Sequence, residues 1–200
     1  MPVSFDCFGT LVDVSRPADP AAAVAAALAD RGVATPEDWA TVYATDHLSL
    51  PPARESPLDR HVRAALASRD VAAPPGVVRD AVRAAFDRPV QVREGARSAL
   101  ALAADRGPVG VCSNCAVPGL VDRVLDRADL PAVDATVTSV DLGYRKPDRR
   151  AFAAVARALD AQVPSLVHVG DDARVDGAVA DYGGRYVPAA TLPDALEGPR

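Results

Sequence analysis

Four groups of residues in this 200-residue chain carry side chains able to do chemistry, and three of them end short apolar runs. Asp6 follows Val3-Ser4-Phe5, Ser113-Asn114 follow the run from Val109, and Asp171-Asp172 follow the run from Leu166, with Asp176 just beyond. The fourth group is Lys146, in Gly143-Tyr144-Arg145-Lys146-Pro147-Asp148. It is the one lysine among 22 basic residues, the rest being arginine. Arginine is a broad planar fork that cannot lose its charge, whereas lysine is a compact ammonium on a thin stem. A compact cation suits a narrow pocket that holds a carboxylate or a phosphoryl oxygen. Asp6 could be a nucleophile, a metal ligand or a helix cap, and residue type alone leaves all three open.

The elements that must position these groups change character along the chain. Val3 to Phe5 reads as a buried strand opening into a turn at Gly9-Thr10. From about Ser15 to Arg88 the periodicity is helical, with segments near 19–31, 36–47, 57–69 and 76–87 separated by breaks such as Pro51-Pro52 and Pro74-Pro75, and nothing there reads as a strand. After Pro89, helices over 93–106, 118–129, 148–159 and 176–182 alternate with strands over 109–112, 135–139, 166–169 and 185–187. Such alternation predicts an α/β fold, a parallel sheet with helices on both faces. Ligands in such sheets bind at the carboxyl ends of the strands. The four polar groups should therefore converge on one pocket.

Composition narrows the partners. A net charge of −5 without a basic patch argues against nucleic acid. No stretch reaches the roughly 18 apolar residues of a membrane span, and the N-terminus lacks a basic, apolar leader, so a cytoplasmic protein is expected. Three cysteines, Cys7, Cys112 and Cys115, are an odd number, which disfavours a disulfide framework. Cys112 and Cys115 form a C-x-x-C, but no second pair completes a zinc site and the histidines lie far away in sequence, so buried packing is expected. All three thiols should lie around the Asp6 pocket, where oxidation could act as a switch.

Taken in order, these segments resemble the haloacid dehalogenase superfamily along nearly the whole chain. Phe5-Asp6-Cys7-Phe8-Gly9-Thr10-Leu11-Val12-Asp13 is similar to its first motif, and Val111-Cys112-Ser113-Asn114 to the second. Arg145-Lys146-Pro147 resembles the third, and Val169-Gly170-Asp171-Asp172 with Asp176 the fourth. The resemblance implies a doubly wound, Rossmann-like core made of residues 1–14 and 89–200, with an inserted helical cap at 15–88. It further implies a hydrolase in which Asp6 attacks the substrate and forms a covalent aspartyl intermediate. Ser113, Thr10 and the backbone amides near Asn114 would hold the transferring group, and Lys146 would neutralise Asp6. Asp6, Asp171, Asp176 and the backbone carbonyl of Phe8 would hold Mg2+. Asp172 would either join that shell or cap the following turn. The implied substrate is a small phosphorylated molecule.

Phe8 departs from the pattern. The family's phosphatases carry a second aspartate there, which protonates the leaving group and contributes roughly 100- to 10,000-fold. The metal-free 2-haloacid dehalogenases of the same branch carry an aromatic residue, because halide leaves without a proton. The acidic fourth motif points the other way, since three carboxylates near Asp6 repel one another without a cation. A magnesium-dependent phosphatase is therefore the leading expectation, with a dehalogenase and a catalytically weak phospho-ligand binder as alternatives. An acid borrowed from the cap would come from His47, Asp59 or His61. His168, inside a strand, is expected to be packed and hydrogen-bonded.

Overall fold

The computed structural model describes residues 1–191. Strand β1 (Val3–Phe5) leads into a turn, in which Leu11 and Val12 donate their N–H groups to the Cys7 carbonyl, and then into β2 (Val12–Val14). Four helices follow: α1 (Pro20–Ala29), α2 (Trp39–Ala44), α3 (Leu58–Ala67) and α4 (Pro75–Phe86). The chain returns through β3 (Val90–Val92), antiparallel to β2. Helices and strands then alternate through α5 (Ala96–Ala104), β4 (Val109–Ser113), α6 (Leu120–Ala128), β5 (Ala135–Thr138), α7 (Ser139–Leu142) and α8 (Arg149–Ala158). Strands β6 (Val167–Gly170) and β7 (Arg185–Pro188) follow, with a 3-10 turn at Gly177–Tyr182 between them and another at Ala189–Thr191.

Five strands form one parallel sheet in the order β5-β4-β1-β6-β7. The chain builds outward from β1 through β4 and β5, then crosses to β6 and β7 on the other side. Strand order therefore reverses at β1, and doubly wound sheets bind ligands at the carboxyl ends of the strands beside such a reversal.

Burial on both faces explains the strand sequences, because parallel strands covered by helices read as continuous apolar runs. Residues Val109 to Ser113 are all buried, and so are Val3 to Phe5. Among the buried polar residues of these strands, Ser4 in β1 and His168 in β6 face each other. They are register partners, and Ser4 Oγ lies 2.8 Å from His168 Nδ1, so each removes the other's desolvation cost.

Helix ends follow local chemistry. Asp19 accepts the Ala22 N–H at the start of α1, and Asp148 accepts the Arg150 N–H at the start of α8. Helix α8 buries the stripe Ala151, Phe152, Val155 and Ala156 against Cys112 and Leu166 on one side of the sheet. Val3, Phe5, Val111 and Val169 belong to the cluster that continues into the inserted helices through Val24, Leu28, Val62 and Val82.

The elements differ from the expected ones in three places. Strands β2 and β3 are absent from the sequence reading, because three residues are too few to show a period and their ribbon forms only when both ends of the insertion meet. The helix expected from residue 93 starts at Ala96, after Gly95 turns the backbone left-handed at φ +77°. The helix expected from residue 176 is the 3-10 turn. No helix of the described residues is long and apolar enough to cross a membrane.

Candidate active site

Because β1 ends at Phe5, Asp6 stands at the carboxyl edge of the sheet, anchored by its N–H to the Val169 carbonyl at 2.8 Å. Lys146 reaches it from the loop after α7. The Asn114 side chain clamps that loop, accepting the Lys146 N–H at 2.8 Å and donating to the Lys146 carbonyl at 2.9 Å. The buried ammonium lies 3.0 Å from Asp6 Oδ1 and 2.6 Å from Asp176 Oδ1. Burial works against its charge, but the Asp6 carboxylate, helped by Asp176, holds its pKa above the ordinary lysine value. Lys146 is therefore a permanent cation.

Asp176 is held from three directions. Lys146 and His168 meet Oδ1, the latter at 3.1 Å, and the Asp172 N–H meets Oδ2 at 3.1 Å. Burial pushes its pKa up, yet the His168 contact and the Lys146 charge outweigh that and bring it down to about 2. The sign of the resulting pH dependence follows. A folded-state pKa below the unfolded value of about 3.9 stabilises the protein above pH 4, and that contribution, about 2 kcal/mol, is lost as pH falls from about 4 to about 2. Urea midpoints measured between pH 6 and pH 3 should drop accordingly, and Asp176→Asn should flatten the drop.

Asp171 completes the acidic set. Its carboxyl is pushed above the usual aspartate range by burial first and by the Asp6 charge second. Oxygens of Asp6, Asp171 and Asp176 lie within 4.8 Å of one another. Three carboxylates against one ammonium leave a negative surplus on hard oxygen ligands, which is the chemistry that a small divalent cation satisfies. The buried hydroxyls Ser113 Oγ, at the end of β4, and Thr10 Oγ1, in the turn after β1, meet no hydrogen-bond partner among the described residues. Buried hydroxyls normally find one, so both suit a polar ligand at the strand ends.

Two glycines make this crowding possible. A Cβ at Gly170 would fall 2.2 Å from Asp176 Cγ, and one at Gly9, where φ is +81°, would fall 2.4 Å from Asp171 Oδ2. Gly170→Ala must displace the Asp176 carboxylate from Lys146. It should cost roughly 1–3 kcal/mol, the usual range for overpacking, read as a lower melting temperature together with lost turnover.

The structure brings together Asp6, Lys146, Asp171 and Asp176. Three other groups take the following places. The Asn114 side chain is committed to the Lys146 backbone. Asp172 caps the turn, accepting the Arg174 N–H at 2.8 Å, rather than joining the acidic set. The three thiols are free and buried. Cys112 and Cys115 belong to different core clusters, and burial raises their pKa values to about 12 and about 11. Cys7, wholly buried, is pushed up by burial and then by Asp6. Protonated, buried thiols are poor nucleophiles.

Of the expected cap acids, the two histidines are hydrogen-bonded inside the insertion, while the buried Asp59 Oδ1 has no hydrogen-bond partner among the described residues. His47 Nε2 and His61 Nε2 bind the carbonyls of Val42 and Tyr43, each at 2.8 Å, and buried Asp59 lies 3.9 Å from Arg79 Nε. Two insertion carboxylates meet core residues: Asp87 pairs with Arg127, and Glu55 Oε2 accepts from Ser139 Oγ at 3.1 Å while its N–H donates to the Gly143 carbonyl at 3.0 Å. Sequence gave no signal for Glu55. Phe8 is partly buried against the main apolar cluster.

A model of the haloacid dehalogenase-like hydrolases matches residues 3–183. The chain belongs to that family. Solved structures similar to this hydrolase include a 2-haloacid dehalogenase from Pseudomonas syringae pv. Tomato DC3000, 22% identical, TM-score 0.63, covering 98% of this chain and 97% of that one. A predicted phosphoglycolate phosphatase from Haemophilus somnus 129pt is 16% identical, TM-score 0.55, over 93% of this chain and 83% of that one. A HAD family hydrolase from Deinococcus radiodurans R1, with bound phosphate and sodium, is 26% identical, TM-score 0.53, over 94% and 79%. No curated protein matches. Phosphatases and dehalogenases thus share this hydrolase's fold, and the choice between them rests on the site.

Proposed function

We propose that this hydrolase is a magnesium-dependent phosphatase of small phosphorylated metabolites that works through an aspartyl-phosphate on Asp6. The observation that carries this reading is the convergence of Asp6, Asp171 and Asp176 on one small volume opposed by a single ammonium. Those carboxylates and the Phe8 carbonyl would hold the ion, which when bound draws negative charge off the phosphoryl oxygens. The phosphate bound by the Deinococcus radiodurans hydrolase supports the same ligand class.

A carboxylate oxygen of Asp6 attacks phosphorus, and the bond to the ester oxygen breaks. Ser113, Thr10 and Lys146 bind the phosphoryl oxygens, and Lys146 offsets the charge that accumulates beside Asp6. Water then attacks the same phosphorus, the bond to Asp6 breaks, and inorganic phosphate leaves. The inserted helices, residues 15–88, act as a cap over the core of residues 1–14 and 89–200 and choose the substrate.

Phe8 restricts the substrate. With no carboxyl there to protonate the leaving oxygen, acyl and aryl phosphates are favoured over alkyl esters. A series of phosphate esters of rising leaving-group pKa, assayed with magnesium and with chelator, tests the proposal. Turnover should require magnesium and fall steeply along the series. Equal rates in chelator would overturn it. Phe8 itself favours a second reading, a metal-free 2-haloacid dehalogenase, which predicts chloride release from 2-chloropropionate in chelator.

A further inference from the structure

Behind the acidic set lies a buried polar chain that the reaction does not use directly. His168 is fully buried in β6, with Ser4 Oγ 2.8 Å from Nδ1 and Asp176 Oδ1 3.1 Å from Nε2. Lys146 Nζ lies 3.5 Å from the same Nε2. The partners decide which ring nitrogen carries the proton. Lys146 is an ammonium and only donates, while ionised Asp176 only accepts. Nε2 must therefore carry a hydrogen to serve Asp176, which leaves Nδ1 as an acceptor for the Ser4 hydroxyl. The Lys146–His168 approach is then a contact between two donors, tolerable because both point at the same carboxylate oxygen.

We propose that His168, fixed as the Nε2–H tautomer by Ser4, is a positioning residue that aims Asp176 at Lys146 and through it sets the place of the ammonium beside Asp6. Each link is short and buried. Ser4 and His168 are held as register partners in adjacent strands, so the network starts from the central strand of the sheet. Without His168, Asp176 Oδ1 would rely on Lys146 alone. The carboxylate could then rotate away, carrying the ammonium with it. Outer partners that orient reacting or metal-binding groups are worth about 10- to 100-fold when removed. The proposal rests on the phosphatase reading only for its kinetic arm.

The test compares His168→Gln, His168→Leu and Ser4→Ala with the unaltered protein, using p-nitrophenyl phosphate and magnesium, melting temperatures, and the nitrogen spectrum of the imidazoles. Gln retains an N–H near the position of Nε2, whereas Leu removes it at similar volume. His168→Leu should lose about 10- to 100-fold in kcat with KM nearly unchanged. His168→Gln should recover most of that loss, even if both variants melt equally early. The His168 signals should show Nε2 protonated and Nδ1 bare, and Ser4→Ala should shift the Nδ1 signal. Equal kcat losses in Gln and Leu, or a protonated Nδ1, would overturn the proposal. If the unaltered protein turns over no phosphate ester, the functional reading fails while the spectrum still decides the network.

Discussion

Asp6→Asn should abolish turnover, with a fall of about 10^4-fold or more, the scale of losing a nucleophile. Asparagine keeps the shape of the side chain but offers no anionic oxygen to form the covalent intermediate. The fold should survive, because Asp6 is one of three neighbouring carboxylates and its removal relieves repulsion on Asp171. Lys146 would keep Asp176 as its partner at 2.6 Å. The melting temperature should therefore stay level or rise while activity disappears. Residual turnover above about 1% would exceed what the remaining binding groups supply.

Lys146→Arg should be nearly as damaging, although it keeps the charge. Lys146 is 2% exposed, and its ammonium touches both Asp6 and Asp176 within 3.0 Å. A guanidinium is wider and planar, so it must push the two carboxylates apart. Overpacking of this kind costs roughly 1–3 kcal/mol. Losing a positioned donor at the reacting group costs on the order of 100- to 1,000-fold in kcat. Lys146→Met should be worse for stability, about 3–5 kcal/mol, because it leaves Asp176 buried without its cation. Calorimetry and steady-state kinetics on both variants separate the two effects. Near-normal turnover in Lys146→Arg would show that the compact shape of lysine is irrelevant here.

Much of this site could be read from the chain because a parallel sheet gathers its strand ends on one edge. Asp6, Ser113 and Asp171 each end an apolar run, so the topology alone places them together. What stayed hidden depends on contacts between distant segments. The Ser4–His168 pair is a matter of strand register, although two polar residues inside apolar runs were its visible trace. The jobs of Asn114 and Asp172 depend on which backbone group each side chain meets, which spacing does not reveal. Glu55 gave no sign at all, since a loop of the insertion reaches the core only after the helices around it pack. Strands β2 and β3 were invisible for a similar reason, being too short to carry a pattern before they pair.

The balance between Phe8 and the acidic loop is the crux, and one paired assay addresses it. Release of phosphate from p-nitrophenyl phosphate and of chloride from 2-chloropropionate should be measured side by side, each with magnesium and with chelator, using Asp6→Asn as the blank. Magnesium-dependent phosphate release with no chloride is the predicted result. Chloride release in chelator, without phosphate release under either condition, would contradict the account.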